Sequence, residues 1–177
     1  MSNVIYKQGQ ISDIDENLGI VKGYGSVFGN KDSDNDIIEK GAYKRTIKNN
    51  GSRVKYLYQH DITKPIGKMK ELYEDEKGLV FVAEVPKTTF GNEVLELMKY
   101  GVIDENSVGI MPVKKDYGED GVRMIKEVKL YEISAVTIAA NDEAKILEVK
   151  GHYNDTDYLS KRFDNLIKVI RKGNVSD

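Results

Sequence analysis

Short strand-like segments separated by turn residues run through the chain to about Val149, and they limit what it can fold into. Helical patterns interrupt them only twice, at Lys40–Asn49, which Asn50-Gly51 closes, and from Thr88 or Thr89 through Tyr100. Because strands outnumber helices and do not alternate regularly with them, the pattern predicts a mostly antiparallel barrel or sandwich. The predicted strands are Leu18–Phe28, Val54–Gln59, Ile66–Tyr73, Gly78–Val85, Ser107–Lys115 and Val122–Ile138, the last of them bent or bulged near Ser134.

The length of 177 residues and the ordinary globular composition suit one compact domain with a real core. The character changes after Gly151, where an apolar stripe predicts a last helix. We therefore expect a β-rich domain over residues 1–150 and a C-terminal helical appendage over residues 151–177. The stripe consists of Leu159, Phe163, Leu166, Ile167 and Ile170.

The charge balance argues against binding to nucleic acid. The chain carries 27 basic and 29 acidic residues, so it lacks the basic excess that displaces counterions from phosphates. Its eleven tyrosines keep a small-barrel nucleic-acid binder open as a weak alternative. No apolar run approaches the ~18 residues that span a bilayer, and Met1–Gln10 lacks the order of a secretory signal. We expect a soluble, intracellular protein.

The absence of cysteine excludes disulfides, thiolate metal sites and cysteine nucleophiles. Only two histidines exist, His60 and His152, and they do not form a metal-binding pair, so we expect neither a metal nor a cofactor. The polar loop Asn30–Asp36 looks like a calcium loop at first. Counted from Asp32, however, it lacks the glycine at position 6 and the glutamate at position 12 that an EF-hand requires.

His60 and Ser107 are candidates for a base and a nucleophile. His60 follows the strand that ends at Gln59, and its parity in that strand directs it to the interior or to a cleft. Ser107 begins a strand and precedes Gly109, which would let a substrate backbone approach closely. Each has a plain alternative, a hydrogen-bonded structural histidine or a small polar strand residue, and a Ser-x-Gly pattern alone is weak.

Glu132 is the candidate for the third member of such a site. In strand register it shares the apolar face of Val128 and Leu130, where a carboxylate is costly unless it is paired. A carboxylate in that position can orient an imidazole. Lys126 breaks the same pattern, so an edge strand or a bulge is the alternative.

Several short motifs follow one another in order between about Gly19 and Glu148. They are Gly23-Tyr24-Gly25-Ser26-Val27-Phe28-Gly29-Asn30, Ile38-Glu39-Lys40-Gly41-Ala42-Tyr43-Lys44-Arg45, Tyr58-Gln59-His60-Asp61, Lys64-Pro65-Ile66-Gly67, Lys77-Gly78-Leu79, Asn106-Ser107-Val108-Gly109-Ile110, Leu130-Tyr131-Glu132-Ile133-Ser134-Ala135-Val136 and Ala139-Ala140-Asn141-Asp142-Glu143-Ala144. In these motifs and their order the chain resembles the prohead, or head-maturation, proteases of tailed bacteriophages.

The resemblance implies a fold and a set of site residues. Such proteases are similar in fold to the herpesvirus assemblins, a closed antiparallel β-barrel surrounded by a few helices. The implied activity is that of a serine endopeptidase with Ser107 as nucleophile, His60 as base and Glu132 as acid. The chain departs from the family at Asn106, where leucine is common, and at Met111, where phenylalanine is common, and His152 matches nothing in it.

The resemblance also implies partners and a place of action. The substrates would be the scaffolding segment of the major capsid protein and the protease itself, cleaved inside the immature head in the host cytoplasm. The herpesvirus relatives suggest a homodimer. A non-catalytic capsid scaffold or binding module on the same barrel is the alternative, although retention of serine, histidine and acid together argues against it.

Overall fold

The structure, a computed structural model, describes residues 19–118 and 120–151, which form a mostly β fold with two α-helices. The predicted appendage, its apolar stripe and His152 therefore lie outside the described residues. In chain order the elements are β1 (Gly19–Val27), β2 (Asp36–Ile38), α1 (Lys44–Asn50), a 3-10 turn (Gly51–Arg53), β3 (Lys55–Tyr58), β4 (Asp61–Glu74), β5 (Gly78–Val85), α2 (Thr89–Lys99), β6 (Glu105–Tyr117), β7 (Arg123–Val136) and β8 (Ile146–Lys150).

All eight strands belong to one sheet, in which β7 is the central connector. Antiparallel β6 covers one edge of β7 along its whole length, while β2 and β3 pair with the other edge in parallel. From β3 the sheet continues through β4, β5 and β1 to β8 in antiparallel pairs. The sheet is therefore mostly antiparallel as predicted, but two of its pairs are parallel.

No ladder between these strands closes the sheet into a barrel. Where β6 approaches β1 and β8, a single bridge joins Glu105 to Lys145, and the buried Asn106 side chain donates to the Tyr24 carbonyl at 3.1 Å. Asn106 also accepts from the Tyr56 hydroxyl at 3.0 Å, which pairs two polar groups inside the core. The closed barrel remains a prediction, because only isolated contacts join β6 to the edge formed by β1 and β8.

Two strands were not predicted, and two begin earlier than expected, β6 by two residues and β4 by five. The three residues of β2 and the five of β8 are too short to show alternation by themselves. Strand β4 starts at Asp61 instead of Ile66 and includes Pro65, which lies at a register shift opposite Leu57. Proline within a run argues against a regular strand, and a bulge is one of the places where a sheet tolerates it.

Helix α2 forms where its apolar spacing and cap predict it. The Thr88 hydroxyl accepts from the Gly91 amide at 2.9 Å, and the buried face includes Val94 and Met98. Gly101 follows the helix in the left-handed conformation, with φ of 70°.

The core lies between the curled sheet and the two helices. Tyr56 and Phe81 are fully buried and their ring centroids are 5.0 Å apart. Within residues 19–118 and 120–151, no helix has the length and apolar composition needed to cross a membrane. Other large, fully buried side chains are Tyr43, Leu79, Leu95, Ile125, Leu130 and Ile133.

Candidate active site

His60 lies at the tip of the β3–β4 hairpin. Tyr58 pairs with Asp61 across a two-residue loop, in which Gln59 and His60 have φ of 54° and 56°. Two positive φ angles are the signature of the type I′ hairpin turn, which usually selects Asn-Gly. For residues with a Cβ this conformation costs roughly 1–2 kcal/mol each, so contacts from outside the loop must hold it.

Those contacts come from the end of β7. The Gln59 amide donates to the Ala135 carbonyl at 2.9 Å, and the His60 amide donates to the Ser134 hydroxyl at 3.1 Å. The Gln59 side chain donates to the Thr137 hydroxyl at 2.6 Å. His60 is thus a turn residue and does not continue the strand parity that the sequence predicted, although its ring does face a cleft.

The His60 ring bonds to Glu132. Nδ1 lies 2.7 Å from Oε1, with the His60 side chain 45% exposed and the Glu132 side chain 14% exposed. The hydrogen bond to the carboxylate is the main cause that raises the pKa of His60 above its ordinary value, and partial burial opposes it. With Nδ1 facing a carboxylate, the neutral ring presents Nε2 as its acceptor.

Glu132 reaches His60 because β7 contains an irregularity at Tyr131. The β6–β7 register shifts between Gly109 paired with Glu132 and Ile110 paired with Leu130. Leu130 and Ile133 both belong to the same hydrophobic core cluster, whereas residues three apart in a regular strand point to opposite faces. The prediction that Glu132 shares the face of Leu130 was therefore wrong, since the shift turns Glu132 away from the core. A bend or bulge was predicted near Ser134, and this irregularity lies three residues before it.

Ser107 stands on the neighbouring strand. It pairs with Ser134, and Gly109 pairs with Glu132, so alternation brings Ser107 and Gly109 to one face of the sheet. Ser107 and His60 line the same cavity of about 340 Å³. Within the described part of the chain, the Ser107 hydroxyl and the His60 ring do not hydrogen-bond. Catalytic hydrogen bonds are often long without substrate and tighten only in its complex.

The Glu132 carboxylate lies directly against Gly109, on the side where any other residue would carry its Cβ. A Cβ built at Gly109 would lie 2.3 Å from Glu132 Oε1 and 2.9 Å from its Cδ. The Glu132 side chain therefore occupies the space that a side chain at position 109 would need. Gly109 also lines the cavity, so the predicted approach of a substrate backbone stays a prediction.

Part of the cavity lining comes from the polar loop Asn30–Asp36, which the sequence presented as a turn. Asp32 accepts from the amides of Asp34 and Asp36, both at 2.9 Å, which shapes the loop. Asp36 forms a double hydrogen bond with Arg123 of β7. Sequence reasoning did not assign this loop to the site, because contacts with segments distant in sequence, among them the parallel β2–β7 pairing, bring it there.

Ser134 is the site residue for which sequence reasoning gave no role. Its hydroxyl donates to Glu132 Oε2 at 2.6 Å and its side chain is fully buried. The available signal was its spacing, since residues two apart in a strand share a face, but a serine two residues after a glutamate is common.

The chain is similar to known proteins over most of its sequence. The chain matches the family described as Caudovirus prohead serine protease over residues 7–158. It is 37% identical to the prohead protease of Enterobacteria phage HK97 over 140 residues, which make up 77% of this chain and 62% of that protein. The chain thus spans about three-fifths of the length of that relative.

Two solved structures share the fold. The bacteriophage T4 capsid assembly protease superposes with a TM-score of 0.55 at 12% identity, covering 66% of this chain and 80% of that one. A KSHV protease with a hexapeptide phosphonate inhibitor gives a TM-score of 0.53 at 10% identity, covering 84% of this chain and 70% of that one. At such identities the likeness concerns the fold alone, while the family match covers most of the sequence. The chain belongs to the Caudovirus prohead serine protease family.

Proposed function

We propose that this chain is a serine endopeptidase that cleaves capsid assembly proteins, itself included, during maturation of the phage head. The observation that carries the proposal is the 2.7 Å bond between His60 and Glu132 in a cavity that Ser107 also lines. Family membership and the 37% identical prohead protease support the same activity.

In the proposed mechanism Ser107 attacks a peptide carbonyl. His60 Nε2 takes the proton from the Ser107 hydroxyl and later donates it to the leaving amine. Glu132 keeps the other proton on Nδ1 and stabilises the imidazolium that forms. The raised pKa of His60 fits this role, because the carboxylate favours the charged ring.

The proposed substrates are the scaffolding segment of the major capsid protein and the chain itself, cleaved inside the assembling prohead. The T4 structural neighbour is called a capsid assembly protease, which supports this assignment. A homodimer, as the herpesvirus resemblance implies, is part of the same proposal.

The test is intact-mass measurement of the purified chain, alone and with its capsid protein, beside the variant Ser107→Ala. Discrete fragments from the native chain that are absent from the variant support the peptidase. Loss of the nucleophile should reduce the rate by several orders of magnitude. Identical masses for both proteins inside assembled heads would favour a non-catalytic capsid scaffold or binding module.

A further inference from the structure

The Ser134 hydroxyl connects two of the residues to which we assign catalysis. It donates to Glu132 Oε2 at 2.6 Å and accepts from the His60 amide at 3.1 Å. A backbone amide can only donate and a hydroxyl has a single proton, so the direction of both bonds is determined. Ser134 is fully buried and has no access to solvent that could replace either bond.

The two bonds act on different parts of the site. Glu132 Oε1 bonds to the His60 ring while Oε2 bonds to Ser134, so the carboxylate is held at both oxygens. The His60 backbone is in the left-handed conformation, which is unfavourable for a residue with a Cβ. The bond from its amide to Ser134 helps to hold that backbone conformation. The backbone in turn determines where the His60 side chain begins and therefore where its ring lies.

We propose that Ser134 is a positioning residue. It holds the Glu132 carboxylate and the left-handed backbone of His60 at the relative positions in which Glu132 bonds to the His60 ring. The inference rests on the proposed peptidase function for its kinetic consequence only. The hydroxyl touches no reacting atom and acts through Glu132 and His60.

The variant Ser134→Ala removes both bonds with little change of volume. The carboxylate becomes free to rotate and the hairpin tip to relax, so the ring and the carboxylate separate. Misplacement of catalytic groups by ~1 Å costs on the order of 100-fold in rate. We expect kcat to fall about 10- to 100-fold while KM changes little, because no substrate-binding group is removed.

The matched control is Thr46→Val. The Thr46 hydroxyl is buried and accepts at 3.0 Å from the amide of Leu130 in β7, the strand that also contains Ser134, but it bonds to neither Glu132 nor His60. Loss of the Thr46 hydroxyl removes one buried hydrogen bond, so it should lower thermal stability about as much as Ser134→Ala does. It should leave kcat and the pKa of His60 unchanged.

The decisive readout is the pKa of His60, which is measured by NMR titration without substrate. A His152→Gln background leaves one imidazole signal, since the chain has only these two histidines. In the native chain the bond to Glu132 raises this pKa, and in Ser134→Ala we expect it to fall toward its ordinary value.

Other charged groups near the ring do not depend on Ser134. Asp61 accepts from the Thr63 hydroxyl and lies 3.3 Å from Lys64. The charged residues that line the same cavity are Asp32, Asp34, Asp36 and Arg123. A fall of the His60 pKa in Ser134→Ala therefore reports the loss of the bond between His60 and Glu132.

An unchanged or raised pKa in Ser134→Ala would overturn the inference, because the His60–Glu132 pair would then persist without the hydroxyl. A fall in Ser134→Ala and none in Thr46→Val supports it. Since the titration needs no substrate, a native chain that cleaves nothing would refute the peptidase function while the positioning result stood.

Discussion

A methyl group at position 109 offers a direct test of how the Glu132 carboxylate is placed. The nearest approach of a Cβ there would be 2.3 Å to Oε1, and ordinary contact begins at 3.4 Å. The carboxylate in Gly109→Ala must therefore withdraw by about 1 Å. That distance is enough to break its 2.7 Å bond to His60 and its 2.6 Å bond to Ser134.

The expected loss lies between two limits. Misplacing a catalytic group by ~1 Å costs on the order of 100-fold, and loss of the orienting acid in a serine protease triad costs about 10,000-fold. We expect kcat of Gly109→Ala to fall within that range, with KM little changed. The pKa of His60 should fall toward the ordinary histidine value of 6.5, because the bond that raises it is lost.

The assay is cleavage of a peptide spanning a processing site mapped by intact mass, with an NMR titration of His60 in parallel. Gly25→Ala is the control, because Gly25 lines the same cavity and the nearest neighbours of its new Cβ would be side-chain carbons of Ile133 and Val108, at 2.9 Å and 3.3 Å. Native kcat and an unshifted His60 pKa in Gly109→Ala would refute the steric argument. A raised KM with native kcat would instead show that Gly109 serves the approach of the substrate backbone.

Three further predictions follow from individual contacts. Glu132→Gln should move the rising limb of the kcat/KM–pH profile to lower pH. His60 must be neutral to act as base, and in the native chain the Glu132 carboxylate raises its pKa. A limb that stays in place would contradict the pairing. Asn106→Leu leaves the buried Tyr56 hydroxyl without its partner and should cost about 1–3 kcal/mol in urea denaturation. Adding Tyr56→Phe should recover part of that loss, and strict additivity would argue against the pair. Thr88→Ala should lower the unfolding free energy by about 1 kcal/mol at unchanged kcat, and an unaltered denaturation midpoint would show that the cap contributes nothing.

Local pattern was sufficient for much of the fold. The hairpin of β4 and β5 and the capped helix α2 appear where alternation, turn residues and apolar spacing predict them. Such signals depend on neighbours within a few residues, so a single sequence contains them. The pattern failed at β2 and β8, because strands of three and five residues form only when a partner strand lies beside them.

The order of the motifs, in which the chain resembles the prohead proteases, identified the candidates His60, Ser107 and Glu132, while the presence of two histidines and no cysteine limited the choice of base and excluded a cysteine nucleophile. Only the tertiary structure decided how these residues meet. The irregularity at Tyr131 turns Glu132 away from the core, and contacts from β7 hold His60 at a left-handed hairpin tip. Both depend on the register between strands that are distant in sequence, and register is a property of the paired sheet that no single segment carries.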